Sequence, residues 1–294
     1  MPRPTLKSET RRTGGDALAY VACMTADNKR AKFRDLHIKG SPLIMPNPAD
    51  QGSAKILASI GFPALATTSG GYAATLGRPD YRVDRDEAIA HAAAIVSAVE
   101  VPVSADLENG FADRPDEVAM TVHMAVDVGL AGCSIEDFTT RKDAPLYSMR
   151  EAAERVAAAA EAAHHPRGSG LVLTARAENY LRGRPDLADT VRRLQAFQEA
   201  GADVLYAPGL ADLGEISALV SAVDLPVNVL LVPGGPSVTE LASAGVARIS
   251  VGGAFHNVAL GALARAGRQL LEESSSAWME LAAEGRKAAA AAFS

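Results

Sequence analysis

Three successive apolar runs end in charged residues. "VPVSADLEN" leads into Asp106 and Glu108, "AGCSIED" into Glu136 and Asp137, and "LVLTARAE" into Arg176 and Glu178. Carboxylates brought together repel one another unless a cation sits among them. An all-oxygen set without His or Cys favours a hard divalent ion, Mg²⁺ or Mn²⁺. The plainer reading of any one pair is an acidic loop or a helix N-cap, and Asp137 reads as a cap of the helix that follows it. Two pairs on neighbouring runs, with an arginine on the next, favour the metal.

Such a cluster needs elements that bring those ends to one place. Eight short apolar runs follow residue 42: 43–47, 64–69, 101–106, 133–137, 171–178, 204–209, 226–232 and 248–253. Helical spacing separates them. Leu187, Val191 and Leu194 recur at i, i+4, i+7 before Gly201, and Ser148 and Glu151 have the spacing of a capping box. Helices between strands require parallel pairing, because a parallel neighbour needs a long crossover. Eight such units predict a (β/α)8 TIM barrel, with the site at the C-terminal ends of the strands. No G-x-G-x-x-G follows the first strand, which argues against a doubly wound sheet. The ring of strand ends also holds Asn47, Asp50, the run Thr68-Ser69-Gly70-Gly71, Pro208-Gly209, Asn228 and Gly252-Gly253. An inward amide at Asn228 is suited to a substrate carboxylate or hydroxyl. Glu108 reads as an orienting group for a metal-bound water or for Arg176.

Bulk composition narrows the function classes. The 294 residues are 48% hydrophobic but only 5% aromatic, so Ala, Val and Leu must fill the core. A net charge of −6 with both signs scattered argues against nucleic acid and anionic membranes as partners. No run has the length of a membrane span and the start lacks a signal-peptide core, so a cytoplasmic location is expected. The two cysteines, Cys23 and Cys133, have no metal-binding spacing, and Cys133 reads as a small core residue.

The pieces "GFPALATTSGGYAATLGRPD", "PVSADLENGF", "GCSIED", "TARAENY", "AGADVLYAPGL" and "GVARISVGGA", in this order, resemble the isocitrate lyase/phosphoenolpyruvate mutase superfamily over residues 43 to about 265. The resemblance implies a (β/α)8 barrel whose last helix is exchanged between subunits, usually in a tetramer. It divides the chain into an N-terminal extension and helix (1–40), a catalytic barrel (41–272) and a C-terminal helix packed on a neighbour (273–294). It also implies Mg²⁺-dependent chemistry on C–C or P–C bonds beside a 2-oxo acid, with a small carboxylate as substrate. By position, Asp106 and Glu136 match the metal carboxylates, and Ser69, Gly70 and Gly71 the backbone cradle for a substrate carboxylate. Arg176 matches the arginine that stabilises an enolate oxygen, and Asp80 an aspartate on the segment that closes over the site.

Departures from the family pattern shape the expected reaction. The stretch after the fourth strand, "EDFTTRKDAPLYSMRE", lacks the K-[KR]-C-G-H lid of isocitrate and methylisocitrate lyases and offers Tyr147 as its only weak acid. Ser104 stands where an Asp-x-Asp pair would begin, and Pro208 where those lyases carry a glutamate. The pattern points towards an oxaloacetate decarboxylase-like or malate-derivative lyase acting through a pyruvate-enolate-like intermediate. Alternatives are a P–C bond enzyme of the phosphonopyruvate hydrolase or phosphoenolpyruvate mutase type, and a ligand-binding barrel without catalysis. Glycine pairs after strands seven and eight also suit a phosphosugar enzyme, but that class leaves the acidic strand ends unexplained.

Overall fold

The computed structural model describes residues 25–165 and 170–293. The first 24 residues of the expected extension and helix (1–40), Cys23 among them, lie outside the described residues. Helix α1 (Ala26–Asp35) starts at Thr25, whose hydroxyl accepts from Asn28 N. It is followed by β1 (Leu43–Met45), α2 (Gln51–Ile60), β2 (Leu65–Ala66), α3 (Ser69–Thr75) and α4 (Arg85–Ala98). Next come β3 (Val103–Asp106), α5 (Pro115–Asp127), β4 (Gly132–Glu136), α6 (Met149–His164), β5 (Val172–Arg176) and α7 (Leu187–Glu199). The remainder is β6 (Val204–Tyr206), α8 (Leu213–Ala222), β7 (Val227–Leu230), α9 (Val238–Ser243), β8 (Arg248–Ser250), α10 (Ala254–Glu272) and α11 (Trp278–Ala292).

All eight strands pair in parallel, with β1 beside β8 and the others in chain order back to β2. The β1–β2 seam carries a backbone bond from Ala66 N to Pro46 O at 3.1 Å, so the sheet is a nearly closed barrel. Outside it, a core of Ala, Val and Leu fills the space under the helices, as the low aromatic content required. Cys133 belongs to that core, and burial pushes its thiol up to about 12. Helix starts follow sequence chemistry: Asp50, Asp84, Ser148 and Ser237 each make a capping box with the residue three positions on.

Helix α1 closes the N-terminal end of the barrel. Lys29 Nζ donates to Val99 O at 3.0 Å, Arg30 Nε to Leu130 O at 3.0 Å, and Arg34 Nη2 to Gly170 O at 2.9 Å. Each of those carbonyls lies just ahead of a strand. Phe33 is fully buried among Leu43, Met45, Ala66, Val172 and Val204 and plugs the floor. A side chain at Gly132 would meet the Phe33 ring at 2.7 Å and Val172 O at 2.8 Å, so the plug requires glycine there.

At the other end of the chain, α11 lies against α2 of its own chain, with the Phe293 ring 3.7 Å from where a Gly52 Cβ would stand. Even so, α11 buries no residue and leaves Met279 55% and Leu281 46% exposed, and α10 likewise buries none and leaves Val258 70%, Leu263 70% and Leu271 83% exposed.

Candidate active site

Asp80, Asp106, Arg176 and Arg182 line a cavity of about 460 Å³ at the barrel mouth, and the buried Glu136 and Glu178 reach it through their pairs with Arg176. Register places the strand ends there: Glu136 pairs with Arg176 across β4 and β5, and Asp106 pairs with Ser134 across β3 and β4. Arg176 stands at the centre. Its Nη1 donates to Asp106 Oδ1 at 2.9 Å, and its Nη2 lies 3.0 Å from Glu136 Oε2. Nε and Nη2 both reach Glu178 Oε1, at 3.0 and 2.7 Å. Burial works against the guanidinium charge, but Glu178, Glu136 and Asp106 outweigh it and hold Arg176 well above its ordinary value. Glu108 makes no hydrogen bond to Arg176 among the described residues; Glu178 makes the bonds that orient it.

A second guanidinium completes the cluster. Arg182 Nη2 donates to Glu178 Oε2 at 2.8 Å and to the Tyr81 hydroxyl, and lies 3.9 Å from Glu136 Oε1. Its plane sits 3.5 Å over the Phe138 ring. Tyr81 in turn donates to Glu136 Oε1 at 2.9 Å from a backbone with φ 60°, a left-handed conformation uncommon for a bulky residue. Glu108 also has positive φ, 49°. Sequence reasoning assigned no role to Glu178, Arg182 or Tyr81; an "R-x-E" at a strand end was the available signal for the first.

Five carboxylates, from Asp80, Asp106, Glu108, Glu136 and Glu178, thus face two guanidinium groups. Burial and the neighbouring acids Asp106 and Asp80 push Glu108 up to about 8. Burial, with Glu178 beside it, raises Glu136, and burial with Asp106 raises Asp80. An uncompensated negative excess among oxygen donors fits a divalent cation. No three acidic, His or Cys side chains among the described residues stand close enough to make a cage. Mg²⁺, however, is commonly held by one or two carboxylates and water.

Ser69, Gly70 and Gly71 form the first turn of α3 on the cavity wall. Ser69 N and Oγ both donate to Asp106 Oδ2, at 3.2 and 3.0 Å, and Gly71 N donates to Thr68 Oγ1 at 3.3 Å. A Cβ on Gly71 would meet Thr68 at 2.4 Å, and one on Gly70 would lie 3.2 Å from the Asp80 carboxyl. Glycine keeps this wall open and lets Asp80 come down on it. Asn47 ties the adjoining loops together, donating to Thr67 O at 2.9 Å and accepting from Val251 N and Gly252 N at 3.0 Å.

Three other expectations change in detail. Asp137 caps nothing: it accepts from Glu178 N at 2.8 Å and from Arg193 Nη1 at 3.0 Å, while Ser148 caps α6. Tyr147 is buried against Asp113, and burial pushes its phenol up to about 12. Asn228 is 1% exposed, with Oδ1 accepting from Arg248 Nε and Nδ2 donating to Ser250 Oγ, both at 3.0 Å.

The family model for phosphoenolpyruvate phosphomutase matches residues 33–271. The chain belongs to this family. It thereby falls in the isocitrate lyase/phosphoenolpyruvate mutase superfamily, whose members are typically Mg²⁺-dependent enzymes acting on small carboxylic acids. A solved structure from Burkholderia cenocepacia J2315, described only as a lyase/mutase, is 48% identical with a TM-score of 0.86, over 90% of this chain and 95% of that one. The oxaloacetate decarboxylase of Pseudomonas entomophila is 29% identical over 67% of this chain and 68% of its own. A phosphonopyruvate hydrolase solved with oxalate and Mg²⁺ is 25% identical with a TM-score of 0.76, covering 88% and 91% of the two chains. Among the described residues no helix is long and apolar enough to cross a membrane.

Proposed function

We propose that this protein is a Mg²⁺-dependent carbon–carbon lyase or decarboxylase for a small 2-oxo or 2-hydroxy dicarboxylic acid, with oxaloacetate the simplest substrate. The observation that carries this reading is Arg176, held at the cavity wall by carboxylates from β3, β4 and the end of β5. A guanidinium fixed in advance stabilises charge that develops during the reaction without reorganising as it appears.

Asp106 and Glu136 would hold the metal, which when bound supplies Lewis-acid charge at the 2-oxo group. The Ser69–Gly71 turn receives the adjacent carboxylate. As the bond between C3 and the leaving carboxylate breaks, its electron pair passes into an enolate whose oxygen faces Arg176. Carbon dioxide departs, and a proton from solvent converts the enolate to pyruvate. Glu178 keeps Arg176 in place, and Asp80 with Tyr81 forms the wall that excludes water. The test is pyruvate formation from oxaloacetate above the rate given by Mg²⁺ alone, lost on adding EDTA; no excess over metal alone sinks the reading.

Likeness to a phosphonopyruvate hydrolase favours one second reading, because cleavage of a P–C bond beside a 2-oxo acid leaves the same enolate. Phosphonopyruvate in the same assay separates the two. The bare apolar surface of α10 supports a homo-oligomer, a tetramer in which a second copy covers that helix. A monomer by light scattering at micromolar concentration would overturn the assembly.

A further inference from the structure

Among the described residues, one cation inside the barrel has no acid beside it. Arg248 lies at the start of β8 and lines the same cavity as Arg176, yet it is only 3% exposed. Its Nε donates to Asn228 Oδ1 and its Nη2 to Thr174 Oγ1, both at 3.0 Å. Its Nη1 lies 3.2 Å from His37 Nε2. The contact between His37 Nδ1 and Phe33 O at 2.8 Å requires that nitrogen to donate, which leaves Nε2 to accept from Arg248. Every partner is therefore neutral, and no carboxylate among the described residues is within ion-pair distance.

An unpaired buried charge is costly, and a fold keeps one where an opposite charge arrives. A guanidinium has five N–H groups; three are used here, leaving one on each terminal nitrogen. Arg248 also decides the orientation of Asn228, because a guanidinium only donates and so claims the amide oxygen. Burial, with Arg176 adding to it, lowers Arg248 to about 10, which leaves it charged at neutral pH. Ser104, Ser250 and Tyr206, which line the same cavity, bring hydroxyls.

We infer that Arg248, with Asn228 and Ser250, is a specificity-determining anion subsite on the inner wall of the cavity, taking the second carboxylate of the substrate. The inference rests on the reading of this cavity as the substrate site. It makes the protein selective for dianions over monoacids of the same shape, with the α3 turn and Arg248 receiving the two ends.

Calorimetric titration of the full chain in Mg²⁺ with L-malate and with 2-hydroxybutyrate tests this without turnover. Malate is expected to bind at least about tenfold more tightly. Arg248→Met should lose that preference while 2-hydroxybutyrate affinity is retained, and Arg248→Lys should keep part of it. Equal affinities in the unaltered chain, or a full malate preference in folded Arg248→Met, overturn the subsite. If Arg248→Met does not fold by near-ultraviolet circular dichroism, an unchanged preference in Arg248→Lys overturns it instead. Malate preference without pyruvate release from oxaloacetate sinks the lyase reading alone; release with equal affinities sinks the subsite alone.

Discussion

Glu178 Oε1 accepts two N–H groups from Arg176, at 3.0 and 2.7 Å, and its other oxygen accepts from Arg182 at 2.8 Å. One fully buried carboxylate thereby fixes both guanidinium groups of the mouth. Replacing it by glutamine keeps the shape but removes the charge that both arginines face. Breaking a buried pair on one side costs about 3–5 kcal/mol. Glu178→Gln should lower the melting temperature by several degrees and reduce kcat far more than it raises KM. A variant with unaltered kcat would show that Arg176 needs no clamp.

Asp106 and Glu136 carry the metal prediction. Alanine at either position should abolish Mg²⁺-dependent pyruvate release while the circular dichroism spectrum is retained. Calorimetric titration with Mg²⁺ or Mn²⁺ should show binding to the unaltered chain and none to Asp106→Ala. Unchanged metal affinity in both variants would place the ion elsewhere.

Acid stability depends on Asp203, ahead of β6. It accepts from Arg34 Nη1 at 2.7 Å, from Leu173 N at 2.8 Å and from His164 Nε2 at 2.8 Å. Burial opposes its charge, but the bonds from His164 and Leu173 outweigh burial and hold Asp203 below the usual carboxylate range. A lowered folded pKa adds stability that is complete above the unfolded value of about 3.9 and drains away as pH falls through the folded value. Asp203→Asn should therefore cost about 1–3 kcal/mol at pH 7. The difference from the parent should shrink below about pH 4, as read from urea denaturation across pH. A constant difference down to pH 2 would contradict the assignment.

Isocitrate and 2-methylisocitrate should not be cleaved at a useful rate. Their cleavage requires a proton donor placed against the leaving group, and a positioned side chain contributes about 10²–10⁴-fold. The segment after β4 offers no Cys or His, and its one phenol, Tyr147, is committed to Asp113 and pushed up to about 12. Robust glyoxylate release from isocitrate with Mg²⁺ would refute this.

The barrel was legible because its signals are local. Apolar runs, spacing and capping residues such as Ser148 with Glu151 are readable within a few positions of one another. Asp106, Glu136 and Arg176 were legible because a strand end fixes where a side chain goes. Glu178 was legible as a strand-end acid but not as the clamp of two arginines, and Arg182 and Tyr81 were not legible, since their places depend on how two loops turn back over the mouth. Arg248 was read only as part of a strand, because sequence shows a charge but not the absence of its partner. Glu108 was read as orienting a metal-bound water or Arg176; the bonds to Arg176 come instead from Glu178, two residues past the end of β5.

The phenyl ring of Phe33 gives the barrel one entrance. With the floor sealed by α1, whatever reaches the inner wall must pass Arg176, and it must leave the way it came. A ligand seated deeper is trapped behind one seated nearer the mouth, so departure runs in reverse order of arrival. A product analogue lodged near the rim would then obstruct exit as well as entry.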